Sequence, residues 1–217
     1  MKKNDLYKKL VLGLLFVFPL LVYLFFASGK NNFAKLPILT KAVDELQFNN
    51  GIYKLKDRIT ILGYWGGSLE NKKAEALNLN EKIYKRFYQF DDFQFIFLVD
   101  SSRINQVSEL KNSLKEGVGT DLSRWNFIPL KSKDIDLHFH SLKTPLLLDS
   151  DHSTPYVFII DKDLNLRGRN DDPDSGTLYG FDARSVAQIN KKMIDDVKVI
   201  LAEYRLALKI YNTKRSK

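Results

Sequence analysis

The longest apolar run in the chain is LVLGLLFVFPLLVYLFFASG, which covers residues 10–29 without one formally charged side chain. As a helix, at a rise of about 1.5 Å per residue, it spans about 30 Å, the thickness of a bilayer's hydrocarbon core. Pro19 lies in the middle of the run, a position that membrane-spanning helices tolerate. A cleaved signal peptide is the alternative, but its apolar region is usually only about 7–15 residues long. The pattern therefore favours an uncleaved membrane anchor.

Three shorter runs, rich in β-branched and aromatic residues, have the length and composition of buried strands. They cover residues 58–65, 93–100 and 156–161. Helical periodicity follows the first two runs, and a turn after the third leads into a hairpin partner at residues 166–169. The clearest helical face steps by three or four residues through Val186, Ile189, Met193, Val197, Ile200, Tyr204 and Leu208.

The predicted order is strand, helix, strand, helix, loop, strand, strand, helix. Strands that alternate with helices imply a parallel pair with crossover connections, and the closing hairpin adds an antiparallel edge. This is the order of the thioredoxin fold, an α/β fold with a central mixed sheet flanked by helices. The predicted divisions are a tail (1–9), the membrane helix (10–29), a linker with a turn near residue 50 (30–57), the α/β domain (58–209) and a basic tail (210–217).

The net charge of +8 is concentrated at the two ends of the chain. Residues 1–9 and residues 30–41 each carry +3, whereas residues 42–208 carry −2. A nucleic-acid-binding domain would have a basic face on its folded body, so this class is excluded. Lysines ahead of the apolar run favour a cytoplasmic N-terminus. We therefore expect a single-pass protein of the inner (cytoplasmic) membrane, with lipid contact through residues 10–29 and its C-terminal domain in the periplasm.

The chain of 217 residues contains no cysteine. Disulfides are therefore excluded, and an exported domain must be held together by packing alone. Thiolates, which serve as redox nucleophiles and as soft metal ligands, are excluded as well. The sequence thus combines the element order of a redox fold with the absence of its usual reactive group.

Residues 151–168, DHSTPYVFIIDKDLNLRG, resemble the second signature of the Sco/SenC family: Asp-His-Ser/Thr, an apolar strand, an Asp turn, and a strand that ends in Arg-Gly. Members of that family are membrane-tethered, thioredoxin-fold copper chaperones and thiol reductants that help mature cytochrome c oxidase. The resemblance covers about residues 58–208. It implies a thioredoxin-like fold for this chain and matches His152 to the family's copper-binding histidine.

The first signature of the family, Cys-x-x-x-Cys, is missing from the loop after the first strand, GYWGGSLENKK at residues 63–73. Copper(I) binding in the family needs both sulfurs and the histidine, and a lone imidazole does not make a soft site. The resemblance therefore implies the fold without the copper activity, in a degenerate member. The predicted remnant of the active-site loop, which we expect to contact a partner, comprises Trp65, Gly66, Gly67, Thr154 and Pro155.

Pro155 holds the place at which many thioredoxin-like proteins have a cis-proline that faces the active-site loop. The alternative is an ordinary trans proline that begins a strand. The sequence leaves both isomers open.

A metal site without thiolates is the second possibility. His138 and His140 would point the same way if residues 137–140 were extended, and His152 could join them. The alternative is a polar face on an edge segment. Two-residue spacing is a weak signal, so the expected cofactor is none, with copper as the alternative.

Residues 170–183 form an unusual insertion. Asp171, Asp172 and Asp174 lack the spacing of a calcium loop, so a solvated turn is expected. Leu178, Tyr179 and Phe181 either pack against the body or contact a partner, and we favour packing.

No other catalytic motif is present. The chain has neither the glycine spacing of a phosphate-binding or dinucleotide-binding loop nor a Ser/His/Asp set in a recognisable context. We therefore expect no enzymatic activity. The expected function is non-catalytic binding or scaffolding beside another envelope or membrane protein. The alternative is copper handling through His152 with His138 or His140, in the maturation of cytochrome oxidase.

Overall fold

The computed structural model describes residues 2–28, 34–46, 53–119 and 121–215, and the chain divides into two compact units, Met1–Ala34 and Lys35–Lys217. The first unit is helix α1 (Lys2–Ser28). Within it, Leu6–Phe26 is long and apolar enough to cross a membrane, by the criteria of length and composition. The helix begins well before residue 10, because the polar residues of the predicted tail continue the same helix.

The second unit is built on a mixed sheet of seven strands in the order β1-β6-β5-β2-β3-β4, with β9 paired to β5. Strands β2, β3 and β4 are parallel to one another, β5 runs antiparallel to β2, and β6 runs antiparallel to β5. The strands of this sheet are β1 (Ile38–Thr40), β2 (Ile59–Trp65), β3 (Phe93–Asp100), β4 (Trp125–Leu130), β5 (Ser153–Ile160), β6 (Leu166–Arg167) and β9 (Phe181–Asp182). A separate hairpin consists of β7 (Arg169–Asp172) and β8 (Gly176–Leu178).

Helices cover both faces of the sheet. They are α2 (Lys73–Leu79), α3 (Lys85–Phe87), α4 (Gln106–Val118), α5 (Ser132–Ser141), α6 (Val186–Gln188) and α7 (Ile194–Arg215). Short 3₁₀ turns precede α2 and α4, and π-helical turns join α2 to α3 and α6 to α7. Helix α7 continues to Arg215, so residues 210–215, predicted as a tail, belong to the helix.

Two cores lie on opposite faces of the sheet because successive strand residues point to opposite sides. Trp65 and Phe97 belong to the core packed under α2, α4 and α7, where the two rings stack with centroids 3.9 Å apart. Tyr64 belongs to the other core, with Phe139 of α5 and Phe158 of β5. The predicted strands β2, β3 and β5 are confirmed. The predicted apolar face of the last helix is confirmed at Ile189, Met193 and Val197, which are fully buried, whereas Val186 at its start is exposed.

The prediction of a linker over residues 30–57 is wrong for much of its described part. Strand β1 pairs antiparallel with β6, and Thr40 Oγ1 donates a hydrogen bond of 2.7 Å to the carbonyl oxygen of Leu142. Val43 and Leu55 are buried in the core beside α5. The error arose because single apolar residues separated by polar ones show neither helical nor strand periodicity. The predicted turn at residues 49–51 lies outside the described residues.

Residues 137–140, predicted as a short strand or loop, lie in α5. The buried residues Ile135, His138 and Phe139 follow helical spacing and pack against the sheet. Because one of these buried positions is the polar residue His138, the sequence does not show the apolar period of a helix. The segment before this helix, Trp125–Leu130, is strand β4.

The insertion at residues 170–183 packs against the body, as predicted. Leu178 and Phe181 are buried, and β9 pairs with the start of β5. Arg169 fixes the hairpin to α7 through an ion pair with Asp196, in which Nη2 and Oδ1 are 2.8 Å apart.

Arg167 joins three parts of the domain. Its guanidinium lies 2.9 Å from a carboxylate oxygen of Asp161 and 2.6 Å from one of Glu203 on α7, and its Nε donates to the carbonyl oxygen of Leu36. Arg167 and Asp161 are both buried. These contacts tie the residues before β1 to the sheet and to the last helix.

Candidate functional site

The parallel strands β2, β3 and β4 end at one edge of the sheet, where β5 begins. Trp65, the last residue of β2, pairs with Ser153 of β5. The loop after β2 therefore lies beside residues 149–152. These two segments form the position at which the resemblance places an active site.

The loop after β2 is sealed by backbone. Gly66 donates its N–H to the carbonyl oxygen of His152 at 3.3 Å. A Cβ atom at position 66 would lie 2.4 Å from the carbonyl oxygen of Asp151 and 2.7 Å from that of His152. At Gly67 an added Cβ would lie 3.2 Å from Cβ of Asp151. Position 66 consequently has room for glycine alone.

Trp65 is fully buried, and its ring stacks on Phe97. Of the two possibilities for Trp65, a partner contact if exposed or a core position if buried, the structure shows the second. Thr154 is buried as well. The described peptide bonds include no cis bond, so Pro155 is trans, and its carbonyl oxygen accepts from Ala183 N–H at 2.9 Å.

His152 is held in an uncommon conformation by contacts on both sides. Its φ of 54° lies in the left-handed region, which non-glycine residues adopt at some energetic cost. The backbone N–H donates to the carbonyl oxygen of Asp149 at 3.0 Å, and the carbonyl oxygen accepts from Gly66. Such strain persists where the surrounding structure fixes the backbone, as these two hydrogen bonds do here.

Asp136 of α5 orients that imidazole. Its Oδ1 lies 2.6 Å from Nδ1 of His152, and each side chain is about one-third exposed, at 38% and 35%. A carboxylate only accepts, so Nδ1 carries the proton and the lone pair of a neutral imidazole is on Nε2. Among the described residues, no hydrogen-bond partner contacts Nε2. The pair therefore presents an acceptor that is ready for a ligand.

This pair lines a cleft of about 400 Å³ between α5 and residues 143–152, which we call the His152 cleft. One part of the cleft is apolar and includes Leu147, whose side chain is 81% exposed. Its polar part includes His140, Lys143 and Asp149. The cleft is thus amphipathic and open to solvent.

His138 does not face this cleft. The common direction of His138 and His140 required an extended segment, whereas residues two apart on this helix point about 200° from each other. His138 is buried: its Nε2 lies 3.0 Å from the carbonyl oxygen of Asp44 and its Nδ1 lies 2.8 Å from Tyr64 Oη. Because a carbonyl only accepts, Nε2 carries the proton and Nδ1 accepts from Tyr64. Both ring nitrogens are occupied within the core.

A copper centre of the Sco/SenC type does not fit these residues. The chain has no thiolate, and the nitrogens of His138 are engaged, so the cleft offers at most the imidazoles of His152 and His140. In the described part of the chain, no group of three or more His, Cys, Asp or Glu residues could hold a metal ion. A soft site for copper(I) needs further ligands.

The buried His138 makes the stability of the fold depend on pH. Burial lowers the pKa of its imidazole below the ordinary value of 6.5. Between that value and the lower pKa of the folded state, the unfolded chain binds a proton that the folded chain does not. We therefore expect the contribution of His138 to the free energy of unfolding to be complete above about pH 6.5 and to decrease as the pH drops below that value. Urea unfolding between pH 8 and pH 5 measures this slope.

The variants His138→Gln and His140→Gln separate this contribution from that of other groups. Loss of His138 should flatten the slope, whereas loss of the exposed His140 should leave it unchanged. Equal slopes in both variants would contradict the assignment.

Comparison with solved structures identifies the fold. A Sco1/SenC family lipoprotein from Bacillus anthracis str. Ames aligns over 77% of this chain and 99% of its own, with a TM-score of 0.53 and 15% identity. The fold is thioredoxin-like. A putative protein disulfide isomerase from Bacteroides thetaiotaomicron aligns over 78% of this chain and 95% of its own, with a TM-score of 0.50 and 9% identity. No family model matches the chain, and no curated protein matches it.

The Sco/SenC resemblance of residues 151–168 is thus confirmed at the level of the fold, in a thioredoxin-like domain without cysteine. The Asp turn of that segment is ordered by Asp161, whose Oδ1 accepts from the N–H groups of Asp163 and Asn165 at 2.9 and 2.8 Å. The sequence did not reveal Asp136. Its contact with His152 joins residues far apart in sequence, and the residue belongs to no motif.

Proposed function

We propose that this chain is a membrane-anchored, extracytoplasmic protein that binds another envelope or membrane protein at the His152 cleft and catalyses no thiol chemistry. One observation carries the proposal. The loop at which a thioredoxin-like domain has its reactive thiol is filled by the backbone of Asp151 and His152. Beside this sealed loop, the His152 cleft is open and contains an imidazole oriented by Asp136.

The membrane anchor in this proposal is the apolar part of α1. The stretch Leu6–Phe26 has the length of a membrane span, and Lys2, Lys3, Lys8 and Lys9 favour a cytoplasmic N-terminus. The domain then faces the periplasm from the inner membrane. A membrane anchor confines the search for a partner to the envelope.

The absence of cysteine provides a direct test, because one introduced cysteine is a unique attachment point. We would attach a photo-crosslinker to Leu147→Cys in the full-length chain within native membranes. The matched control is Val186→Cys, at a residue that is also exposed but does not line the cleft. We expect one stoichiometric envelope protein, identified by mass spectrometry, to be crosslinked from position 147 and not from position 186. Equal crosslinking from both positions, or none, would contradict the proposal.

Copper handling is the alternative function. The observation in its favour is the arrangement of His152 and Asp136, since histidine ligands commonly donate their second nitrogen to a carboxylate. A dedicated site would hold about one copper per chain. We expect the full-length protein, purified from copper-supplemented cells, to contain no stoichiometric copper. One copper per chain, lost in His152→Ala, would favour the alternative.

A further inference from the structure

We propose that the His152 cleft recognises a positively charged aliphatic peptide segment, with a donor group of that segment placed on Nε2 of His152. This inference rests on the proposed function and names the chemistry of the partner. It follows from three features of the cleft: the free Nε2 of His152, the balance of charge in the lining, and the exposed apolar surface.

The imidazole selects for a donor. Asp136 occupies Nδ1 of His152 at 2.6 Å, which leaves the lone pair of Nε2 as the group available to a ligand. An ammonium, guanidinium or amide N–H satisfies this lone pair. A carboxylate or phosphate oxygen at the same place would face a second acceptor.

The charges in the cleft select for a cation. The fixed charges of the lining are the carboxylates of Asp136 and Asp149 and the ammonium of Lys143. Asp151, next to His152 in the sequence, is exposed and adds a further negative charge. The balance is negative, so a basic side chain is attracted and an acidic one is repelled.

The apolar part of the cleft favours a ligand with aliphatic side chains next to that basic group. Leu147 has the most exposed large apolar side chain among the described residues of the domain. Leu146 and Leu148 flank it in the lining. A segment in which leucine-like residues flank a basic residue can cover this surface and at the same time place its donor at His152. Because the backbone of His152 is already fixed, this part of the cleft needs little ordering when the segment binds.

The test uses three matched probes: acetyl-Leu-Lys-Leu-amide, acetyl-Leu-Gln-Leu-amide and acetyl-Leu-Glu-Leu-amide. The full-length chain, labelled with ¹⁵N-histidine and held in nanodiscs, contains three histidines, so its imidazole resonances can be assigned with single substitutions. We expect the lysine peptide to shift the Nε2 resonance of His152. Its affinity should exceed that of the glutamate peptide by about threefold to fivefold, the effect of one solvent-exposed charge pair.

Two variants of α5 provide the control. Asp136→Asn removes one of the carboxylates that face the cleft and should reduce the preference for the lysine peptide. Asp134→Asn removes an exposed carboxylate of the same helix that does not line the cleft, and it should leave the preference intact. Equal or tighter binding of the glutamate peptide, or no shift with any peptide, would overturn the inference.

The two proposals fail separately. Peptide selectivity at His152 without a crosslinked partner from position 147 would overturn the proposed function and leave the chemistry of the cleft supported. A crosslinked partner together with no charge selectivity would overturn the inference alone.

Discussion

Replacing Gly66 with alanine is expected to lower the free energy of unfolding by about 3 kcal/mol, at the upper end of the range for overpacked sites. The new Cβ would lie 2.4 Å from one backbone oxygen and 2.7 Å from another. Backbone atoms at residues 151 and 152 cannot rotate away as a flexible side chain would. Both tryptophans are buried in the domain, so urea unfolding of the full-length protein followed by tryptophan fluorescence measures the effect.

Gly67→Ala is the matched control. The added Cβ would lie 3.2 Å from a side-chain carbon of Asp151, which can move by a few tenths of an ångström. We expect a loss below about 1 kcal/mol, typical of a site without a core or backbone clash. Similar losses at both positions would show that the loop after β2 is not sealed as described.

Replacing Arg167 with methionine is expected to cost about 3–5 kcal/mol, because it leaves buried carboxylate charge without its partner. Asp161 is buried, and Glu203 of α7 accepts from the same guanidinium at 2.6 Å. The carbonyl oxygen of Leu36 also loses its donor. Urea unfolding of the full-length chain measures this loss. Arg167→Lys should recover only part of the stability, since a single ammonium cannot reproduce the planar fork of donors.

Lys198→Met is the control for that substitution. Lys198 pairs with Asp195 at 3.1 Å on the surface of α7, and both side chains are more than half exposed. Exposed pairs contribute about 1 kcal/mol or less. If the two methionine variants lost equal stability, the network around Arg167 would not be a buried one.

The central strands and the helices on one face of the sheet, α2, α4 and α7, could be predicted because their residues are buried in a regular period. Every residue of β2 is buried, and the run is apolar or aromatic except for Thr60 and Gly63. Strand β1 escaped prediction because it is three residues long and one of its side chains is exposed. Helix α5 escaped because a satisfied polar group, His138, occupies one of its core positions.

The candidate site was predicted in part. The resemblance indicated His152, and the missing cysteines indicated a changed loop, but neither revealed that Gly66 is enclosed by backbone. His138 and His140 could not be distinguished by sequence, since their roles depend on which side of α5 each faces. The contact between Asp136 and His152 depends on how residues 143–152 fold back on that helix, which no local pattern encodes.

The enclosure of Gly66 also limits what this lineage can become. A cysteine at position 66 would meet the same two backbone oxygens as alanine, so the first mutational step toward a thiol there lowers stability before any activity is gained. Accommodating it requires residues 151 and 152 to move, and the orientation of His152 would change with them. A thiol at position 66 therefore requires a shift of the backbone that also carries His152, which a substitution at position 66 alone does not supply.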